Sequence, residues 1–262
     1  MFWLRILSAL VGMPLIILAV WYAGIPLLLL TALIIIAGLF EMMRMLSYLD
    51  LRPSLGLAVA GGLILLGGAY LYDGGYPGPT IIVVLFMHLV AVVFFYPRYS
   101  LIDGAGTLLG TLYVGLLSYF YLLRNLPDGW FWLVFMLAGT WASDTMAYFV
   151  GKTLGRKRIA PAVSPRKTVE GALGGIFGSV VSAYVFVLVY PFISLTHVLL
   201  LGLLVGIAAE LGDLVESAFK RQADLKDTGN LIPGHGGVLD RFDSMLFTAP
   251  LVYYYVRLFL VK

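Results

Sequence analysis

The chain of 262 residues is 61% hydrophobic and only 12% charged, and its mean hydropathy is +0.98. Soluble domains are about half apolar and about a quarter charged, so the composition excludes a soluble globular protein. It indicates an all-α, polytopic protein with one integral membrane domain over residues 1–262. The formal net charge of +3 is too small to indicate nucleic acid as a partner. Because the sequence has no cysteine, it excludes disulfides, thiolate metal sites and a cysteine nucleophile.

Nine apolar runs have the length of about 17 to 25 residues that a membrane-spanning helix requires. They are Ile6–Tyr22, Ile25–Met42, Leu55–Tyr72, Thr80–Tyr96, Gly104–Leu123, Trp130–Val150, Gly171–Ile193, His197–Phe219 and Ser244–Leu260. The first begins like a secretory signal, but no small-x-small cleavage site follows, so we expect it to be retained. Only Ala23 and Gly24 separate the first two runs. That pair is either a tight hairpin, or one of the two runs is not a full crossing.

The distribution of basic residues predicts the orientation. If the N-terminus is cytoplasmic and all nine runs cross, the inner segments hold 14 of the 17 Lys and Arg residues, as the positive-inside rule requires. Two polar loops, Gly151–Glu170 and Lys220–Asp243, then face the cytoplasm, where nucleotides are found. We therefore expect a multi-pass protein of the cytoplasmic (inner) membrane, surrounded by membrane lipids, with its site on the cytoplasmic side.

Many of the 30 glycines are expected to serve helix packing. Small residues four positions apart let helices approach closely in lipid. The pairs with this spacing are Gly106/Gly110, Gly171/Gly175, Gly174/Gly178 and Gly202/Gly206.

Charged residues concentrate in Glu210–Asp243, where 34 positions hold seven of the 14 acidic residues and four of the 17 basic ones. Its first part continues an apolar run and predicts a helix. At about 100° per residue, one face of this helix carries Glu210, Asp213, Glu216 and Lys220. Like charges three residues apart repel unless a cation lies among them. Carboxylates suit Mg²⁺, whereas zinc is disfavoured by the lack of cysteine, so we predict a Mg²⁺ site.

The second part of this segment is rich in glycine, which exposes consecutive backbone N–H groups that can bind an anion. Lys226 and Arg241 bracket it, so the expected ligand is a phosphate. The residues that exclude a helix or strand interior here are Gly229, Pro233, Gly234, Gly236 and Gly237.

Residues 217–243 fill the pattern S-x-x-K-R-x-x-x-x-K-D-x-G-x-x-x-P-G-H-G-G-x-x-D-R-x-D without a departure. This pattern resembles the signature of the phosphatidate cytidylyltransferase family. The resemblance implies Mg²⁺-dependent transfer of the cytidylyl group of CTP to phosphatidic acid, giving CDP-diacylglycerol and pyrophosphate. A second element, S-P-R-K-T-V-E-G at Ser164–Gly171, is also similar to the family's, which usually has a second lysine where Arg166 stands here.

The resemblance also assigns roles to individual residues. Those implied in catalysis are Asp213, Asp240, Lys226 and Arg241. Those implied in substrate binding are Lys167, Ser217, Lys220, Arg221, Asp227, His235, Gly236 and Gly237. The implied metal ligands are Asp213 and Asp240. The carboxylates themselves add Asp144 and Asp243 as second candidates for the metal, with Glu216 and Asp227 as further ligands or outer carboxylates.

Several of these residues have alternative interpretations. Asp144, inside an apolar run, is either part of the site or paired with a basic residue of another helix, and Glu210 either joins the site or only lines its helix. We interpret the basic cluster Arg156–Arg158 as a determinant of topology, with anionic lipid headgroups as incidental partners. His235 is a general base or a hydrogen-bond donor to phosphate or ribose. We favour the second, because a phosphate monoester with a second pKa near 6 needs no base.

Two other functions compete with this hypothesis. A cation or proton transporter would explain the intramembrane carboxylates but not the glycine-rich segment. A related membrane nucleotidyltransferase acting on another lipid phosphate would explain both. The sequence leaves the oligomeric state open, with a homodimer as one alternative.

Overall fold

The computed structural model describes residues 14–72, 77–191, 193–232 and 236–261. Residues 14–22 are helical, and nine labelled helices follow within the described ranges. They are α1 Gly24–Ser47, α2 Leu55–Leu71, α3 Pro77–Phe95, α4 Leu101–Gly115, α5 Ser118–Arg124, α6 Gly129–Thr153, α7 Val169–Val189, α8 Leu195–Gln222 and α9 Leu239–Phe259.

Eight of the nine predicted runs coincide with these helices to within a few residues. The start of the first run, residues 6–13, lies outside the described part. Within that part, six helices are long and apolar enough to cross a membrane: α1, most of α3, α4 with α5, α6, α7 and α8. This is typical of a multi-pass membrane protein, while the count of nine crossings stays a prediction.

The boundary between the first two runs is a break in the helix. Ala23 has φ of 55° and Gly24 has φ of 49°, which is the left-handed region that ends a right-handed helix. The fifth predicted run is also interrupted, since α4 ends at Gly115 and α5 begins at Ser118.

The chain divides into two compact units: residues 1–125 with 219–242, and residues 126–218 with 243–262. In the first unit, α2 packs on α1, α3, α4 and α5. Ser54 caps α2 through Leu57 N–H, and Ser100 begins α4 with a capping box completed by Asp103. Such caps satisfy N–H groups that a helix start leaves open.

In the second unit, α6 and α7 form an extended contact, joined by a short antiparallel hairpin. Its strands are β1, Arg158–Ala160, and β2, Ser164–Thr168. The purely helical prediction missed this sheet, because a tight turn that returns Val163 N–H to the Ala160 carbonyl lets two very short segments pair. Thr168 then caps α7 by accepting from Gly171 N–H.

The predicted packing role of the glycines fits the contacts of α6, α7 and α8. A Cβ on Gly174 would lie 2.6 Å from the Val150 side chain, and one on Gly206 would lie 2.7 Å from the Ile176 Cα. At Gly206 the helices α7 and α8 therefore approach through backbone, and at Gly174 the Val150 side chain of α6 takes the space that a Cβ would occupy, as close packing in lipid requires.

The close approach at Gly206 predicts different unfolding midpoints for two glycine-to-alanine substitutions in helices. Gly206→Ala should lower the midpoint of thermal unfolding in detergent, because overpacking against backbone costs about 1 to 3 kcal/mol. Gly67→Ala is the matched control, since a Cβ there meets nothing within 4 Å, and it should leave the midpoint unchanged or raise it. Equal midpoints for the two variants would contradict the packing role.

Candidate active site

Three carboxylates of the second unit form a compact cluster. Asp213 and Glu216 lie three residues apart on α8, and Asp243 is the fifth residue of α9. One oxygen from each lies within 4.8 Å of the others, and Glu216 is fully buried. We refer to these three residues as the carboxylate triad.

Gly212 allows the triad to form. A Cβ at this position would lie 2.6 Å from the Asp243 carbonyl oxygen and 2.9 Å from the Ser244 Cα. Real Cβ atoms do not approach backbone that closely, so α8 reaches the start of α9 only because residue 212 has no side chain. The glycine directly before Asp213 is therefore part of how the triad is built.

Lys167 provides positive charge to α8. Its Nζ lies 2.7 Å from Asp213 Oδ2 and 2.8 Å from Glu210 Oε2, and it donates to the Glu210 carbonyl at 2.9 Å. Burial lowers the pKa of Lys167, but the charges of Asp213 and Glu210 outweigh burial and raise it above its ordinary value. The amine is therefore protonated at neutral pH. Because Lys167 lies at the end of β2, its side chain contacts the acidic face of α8.

Asp144 belongs to the same acidic region. It lies on α6, forms a side-chain hydrogen bond with Ser244, and is within electrostatic range of Asp213, Glu210 and Lys167. These contacts place Asp144 among other carboxylates and near the amine of Lys167, so both interpretations of Asp144 stay predictions.

The charge of this region favours a cation. Its five carboxylates are Asp144, Glu210, Asp213, Glu216 and Asp243, and the contacts above bring one amine, Lys167, among them. Mg²⁺ binds oxygens at about 2.0 to 2.1 Å, and three carboxylate oxygens that lie within 4.8 Å of one another can converge on one such ion. Oxygen donors with no nitrogen or sulfur also suit Mg²⁺, so the residues present fit this ion.

A second polar cluster lies in the first unit, around Asp240. Lys220 Nζ donates to Asp240 Oδ1 at 2.8 Å. Asp240 Oδ2 accepts from Thr228 N–H at 2.9 Å, Thr228 Oγ1 at 3.0 Å and Gly237 N–H at 2.8 Å. The carboxylate thus connects α8 to two points of the glycine-rich segment.

The partners of Asp240 control its ionisation. Burial raises the pKa of its carboxyl, but the hydrogen bond from Lys220, the N–H groups of Gly237 and Thr228 and the Lys220 charge outweigh burial and hold the pKa below its ordinary value. The stability that these contacts provide is therefore present above the unfolded-state pKa and is lost as the pH falls through the lower folded-state pKa.

Sequence reasoning missed Glu41 of α1. Its side chain is 1% exposed, and it accepts from Val238 N–H and Leu239 N–H, both at 2.9 Å, and from Thr228 Oγ1 at 3.1 Å. The signal was present in the sequence: a carboxylate inside an apolar run is costly in a membrane and indicates a functional site.

The remaining predicted residues are distributed around these clusters. Ser217 Oγ lies 3.5 Å from Asp213 Oδ1, and Arg221 donates to the Leu225 carbonyl. Gly236 has φ of 87°, which explains glycine at that position. His235 lies outside the described residues. The exposed side chains are those of Arg221, Lys226, Asp227 and Arg241.

The apolar helices are typical of a polytopic membrane protein, and the carboxylate triad and the lysine–carboxylate pairs are side chains of the kind that phosphoryl-transfer sites use. A sequence model of the cytidylyltransferase family matches residues 3–259, and the chain belongs to this family of enzymes.

Individual relatives agree with this assignment. The phosphatidate cytidylyltransferase of Synechocystis sp. is 37% identical over 98% of this chain and 97% of that protein. The phosphatidate cytidylyltransferase of Bacillus subtilis is 46% identical, over 58% of this chain and 57% of that protein. The one from Staphylococcus saprophyticus is 38% identical over 66% of each.

The Lys220–Asp240 pair makes a testable contribution to stability. Lys220→Met leaves the buried Asp240 charge without its ammonium partner, which costs about 3 to 5 kcal/mol for buried pairs, so the midpoint of thermal unfolding should fall markedly. The double variant Lys220→Met/Asp240→Asn removes both charges and should recover most of the loss. A single variant with the wild-type midpoint would show that the pair does not stabilise the fold.

Proposed function

We propose that the protein transfers the cytidylyl group of CTP to phosphatidic acid, giving CDP-diacylglycerol and pyrophosphate. The observation that carries this proposal is the carboxylate triad, in a chain that belongs to the cytidylyltransferase family. The names of the relatives supply the lipid substrate. The apolar helices suit an enzyme whose lipid substrate stays in the membrane.

The reaction is an in-line displacement. A phosphate oxygen of phosphatidic acid attacks the α-phosphorus of CTP, and the bond from that phosphorus to the bridging oxygen of the β-phosphate breaks with its electron pair, releasing pyrophosphate. A phosphate monoester is mostly dianionic at neutral pH, so the nucleophile needs no general base. The protein's main tasks are then to position two polyanions that repel each other and to neutralise their charge.

Asp213, Glu216 and Asp243 would hold Mg²⁺, with Asp144 close to Asp213. When bound, Mg²⁺ supplies positive charge to the phosphate oxygens and to the leaving pyrophosphate. Gly212 keeps α8 and the start of α9 close enough for these oxygens to converge. Lys167 orients Asp213 and Glu210 and provides the cation on that face of α8.

Asp240 stays a proposed metal ligand and catalytic residue. Its Oδ1 accepts from Lys220 and its Oδ2 from Thr228 and Gly237. Ligation therefore requires Lys220 to move from Oδ1, and a phosphate group of the substrate is a natural acceptor for the released ammonium.

The remaining predicted residues keep their proposed roles in binding phosphates and nucleotide. The cations proposed to hold phosphates are Lys167, Lys220, Arg221, Lys226 and Arg241. The other proposed substrate-binding residues are Ser217, Asp227, His235, Gly236 and Gly237. Because Gly237 N–H donates to Asp240, any contact of Gly237 with the substrate would need that hydrogen bond to be shared or exchanged.

The reaction also predicts an orientation. CTP is a cytoplasmic substrate, so we propose nine crossings with a cytoplasmic N-terminus, in the inner membrane of a bacterium. The basic hairpin β1–β2, which joins the membrane-spanning helices α6 and α7, then faces the cytoplasm.

One assay tests the reaction and its metal ligands together. Purified protein with phosphatidic acid and Mg²⁺ should form a lipid product and pyrophosphate with CTP, and far less with UTP, ATP or GTP. Asp213→Asn and Asp243→Asn should each lower kcat by at least about 100-fold, because each keeps its shape and loses a charge at the metal. Removal of Mg²⁺ with a chelator should abolish turnover.

Asp224→Asn is the matched control for these variants, since Asp224 is exposed and its φ of 54° is tolerated by asparagine. It should keep the wild-type rate. Absence of a CTP-dependent lipid product in the wild type would exclude the proposed reaction, and near-normal activity of Asp213→Asn or Asp243→Asn would exclude that residue as a metal ligand.

Single cysteines can test the orientation, because the sequence contains none. Lys157→Cys, in the exposed hairpin, should resist a membrane-impermeant thiol reagent in intact cells and react after permeabilisation. Ser194→Cys, in the exposed connection between α7 and α8, should react in intact cells. Reversed labelling would place the hairpin on the outer face, where CTP is absent.

A further inference from the structure

Glu41 is buried, and its three hydrogen-bond donors among the described residues all come from the signature segment, residues 217–243. They are the N–H groups of Val238 and Leu239 and the hydroxyl of Thr228. A carboxylate in an apolar interior is costly unless hydrogen bonds compensate it. Glu41, which lies six residues before the end of the apolar helix α1, therefore has contacts that serve a segment almost 200 positions later: 187 residues separate Glu41 from Thr228.

The position of Glu41 at the start of α9 explains how the charge is stabilised. Leu239 begins α9 and Val238 directly precedes it. The first N–H groups of a helix have no partner within that helix and carry a partial positive charge, so an anion there is favourable. Glu41 thus caps α9 from α1, and it fixes where the helix that carries Asp240 begins.

Two glycines of the signature make space for the Glu41 carboxylate. A Cβ on Gly229 would lie 2.6 Å from Glu41 Oε1, and a Cβ on Gly237 would lie 2.6 Å from Glu41 Oε2 and closer still to Thr228 Oγ1. Any side chain at either position would therefore displace the carboxylate or the segment. These glycines fit the carboxylate of Glu41 whether or not their N–H groups contact a phosphate.

Glu41 and Asp240 hold the same two stretches of the chain. Glu41 accepts from Thr228, Val238 and Leu239, while Asp240 accepts from Thr228 and Gly237. The Thr228 hydroxyl has a single hydrogen and lies 3.1 Å from Glu41 Oε2 and 3.0 Å from Asp240 Oδ2. A change in charge at Glu41 is therefore felt by Asp240 and, through it, by Lys220.

We propose that Glu41 is a positioning residue for the cytidylyl transfer: its buried carboxylate holds Thr228 and the start of α9 so that Asp240 and Lys220 are correctly placed. The inference rests on the proposed function for its activity readout, while its effect on the segment is measurable without turnover. Glu41 itself does not touch substrate in this account.

Glu41→Gln should lower kcat by about 10- to 100-fold, the range expected when reacting groups are misplaced by about 1 Å. The amide keeps the shape of the side chain but directs an NH₂ group at one of three donors. Glu41→Asp restores the charge and should recover part of the rate. Thr228→Val should also lower kcat, and its effect should not multiply with that of Glu41→Gln, because both act on one hydrogen-bonded unit.

Thr111→Val is the matched control for this double-mutant cycle. Thr111 is a buried threonine of α4 that donates to the Thr107 carbonyl and contacts His88. The fold-changes in kcat caused by Thr111→Val and Glu41→Gln should therefore simply multiply in the double variant. Amide exchange gives a readout free of turnover. The N–H groups of Val238 and Leu239 should exchange at least about tenfold faster in Glu41→Gln than in wild type, since each loses its charged acceptor.

Each outcome is decisive for Glu41. Wild-type kcat in Glu41→Gln, independent effects of Glu41→Gln and Thr228→Val, or unchanged exchange at Val238 and Leu239 would each overturn the positioning role. If Glu41→Gln does not fold, Glu41→Asp and Thr228→Val carry the test, and wild-type activity in both would overturn it. A wild type without CTP-dependent product refutes the proposed reaction instead, and the exchange result then still decides whether Glu41 holds the segment.

Discussion

The structure depends on providing partners for carboxylates inside a very apolar chain. Each buried carboxylate must find a cation or hydrogen-bond donors, because an uncompensated charge in such an interior is strongly unfavourable. The protein meets this requirement in three ways. Lys167 pairs with Glu210 and Asp213, Lys220 pairs with Asp240, and backbone N–H groups at a helix start surround Glu41. The carboxylate triad brings three further carboxylate oxygens within 4.8 Å of one another, an arrangement that suits a cation.

Glycine solves the accompanying problem of space. In α6, α7 and α8, glycines let backbones touch, which is a general need of helices in lipid. Gly212 has a more specific task, because it brings Asp243 within reach of Asp213. Gly229 and Gly237 have a third task and leave room for the carboxylate of Glu41. A single residue type thus supports the membrane fold, the triad and the signature segment through the same property, the lack of a Cβ.

The helices could be predicted from the sequence because a membrane helix needs a long apolar run, and such runs are visible without knowing their neighbours. The acidic face of α8 was predictable too, since helical periodicity alone places Asp213 and Glu216 together. The residues that pack against this face of α8 could not be predicted in the same way. The sequence proposed both Asp240 and Asp243 as metal ligands, with Asp240 first, and could not choose which of them lies beside the acidic face of α8. The contacts connect Asp240 to Lys220 and place Asp243 with Asp213 and Glu216. That choice depends on the packing of α8 against the start of α9, which no local pattern encodes.

Glu41 shows the same limit more clearly. Its isolation in an apolar run indicated importance, but its partners lie almost 200 residues away and could be found only from the fold. The β1–β2 hairpin was missed for the opposite reason, because its strands are too short to give a periodic signal.

The central claim is that Asp213, Glu216 and Asp243 converge on one divalent cation. Crystals of the protein grown with Mn²⁺ in place of Mg²⁺ test it most directly, since Mn²⁺ accepts the same oxygen ligands and can be located by its anomalous scattering. The account predicts an anomalous peak within bonding distance of all three carboxylates, and its loss in Asp243→Asn. A peak bonded to other residues, with the triad oxygens contacting only protein groups, would contradict it.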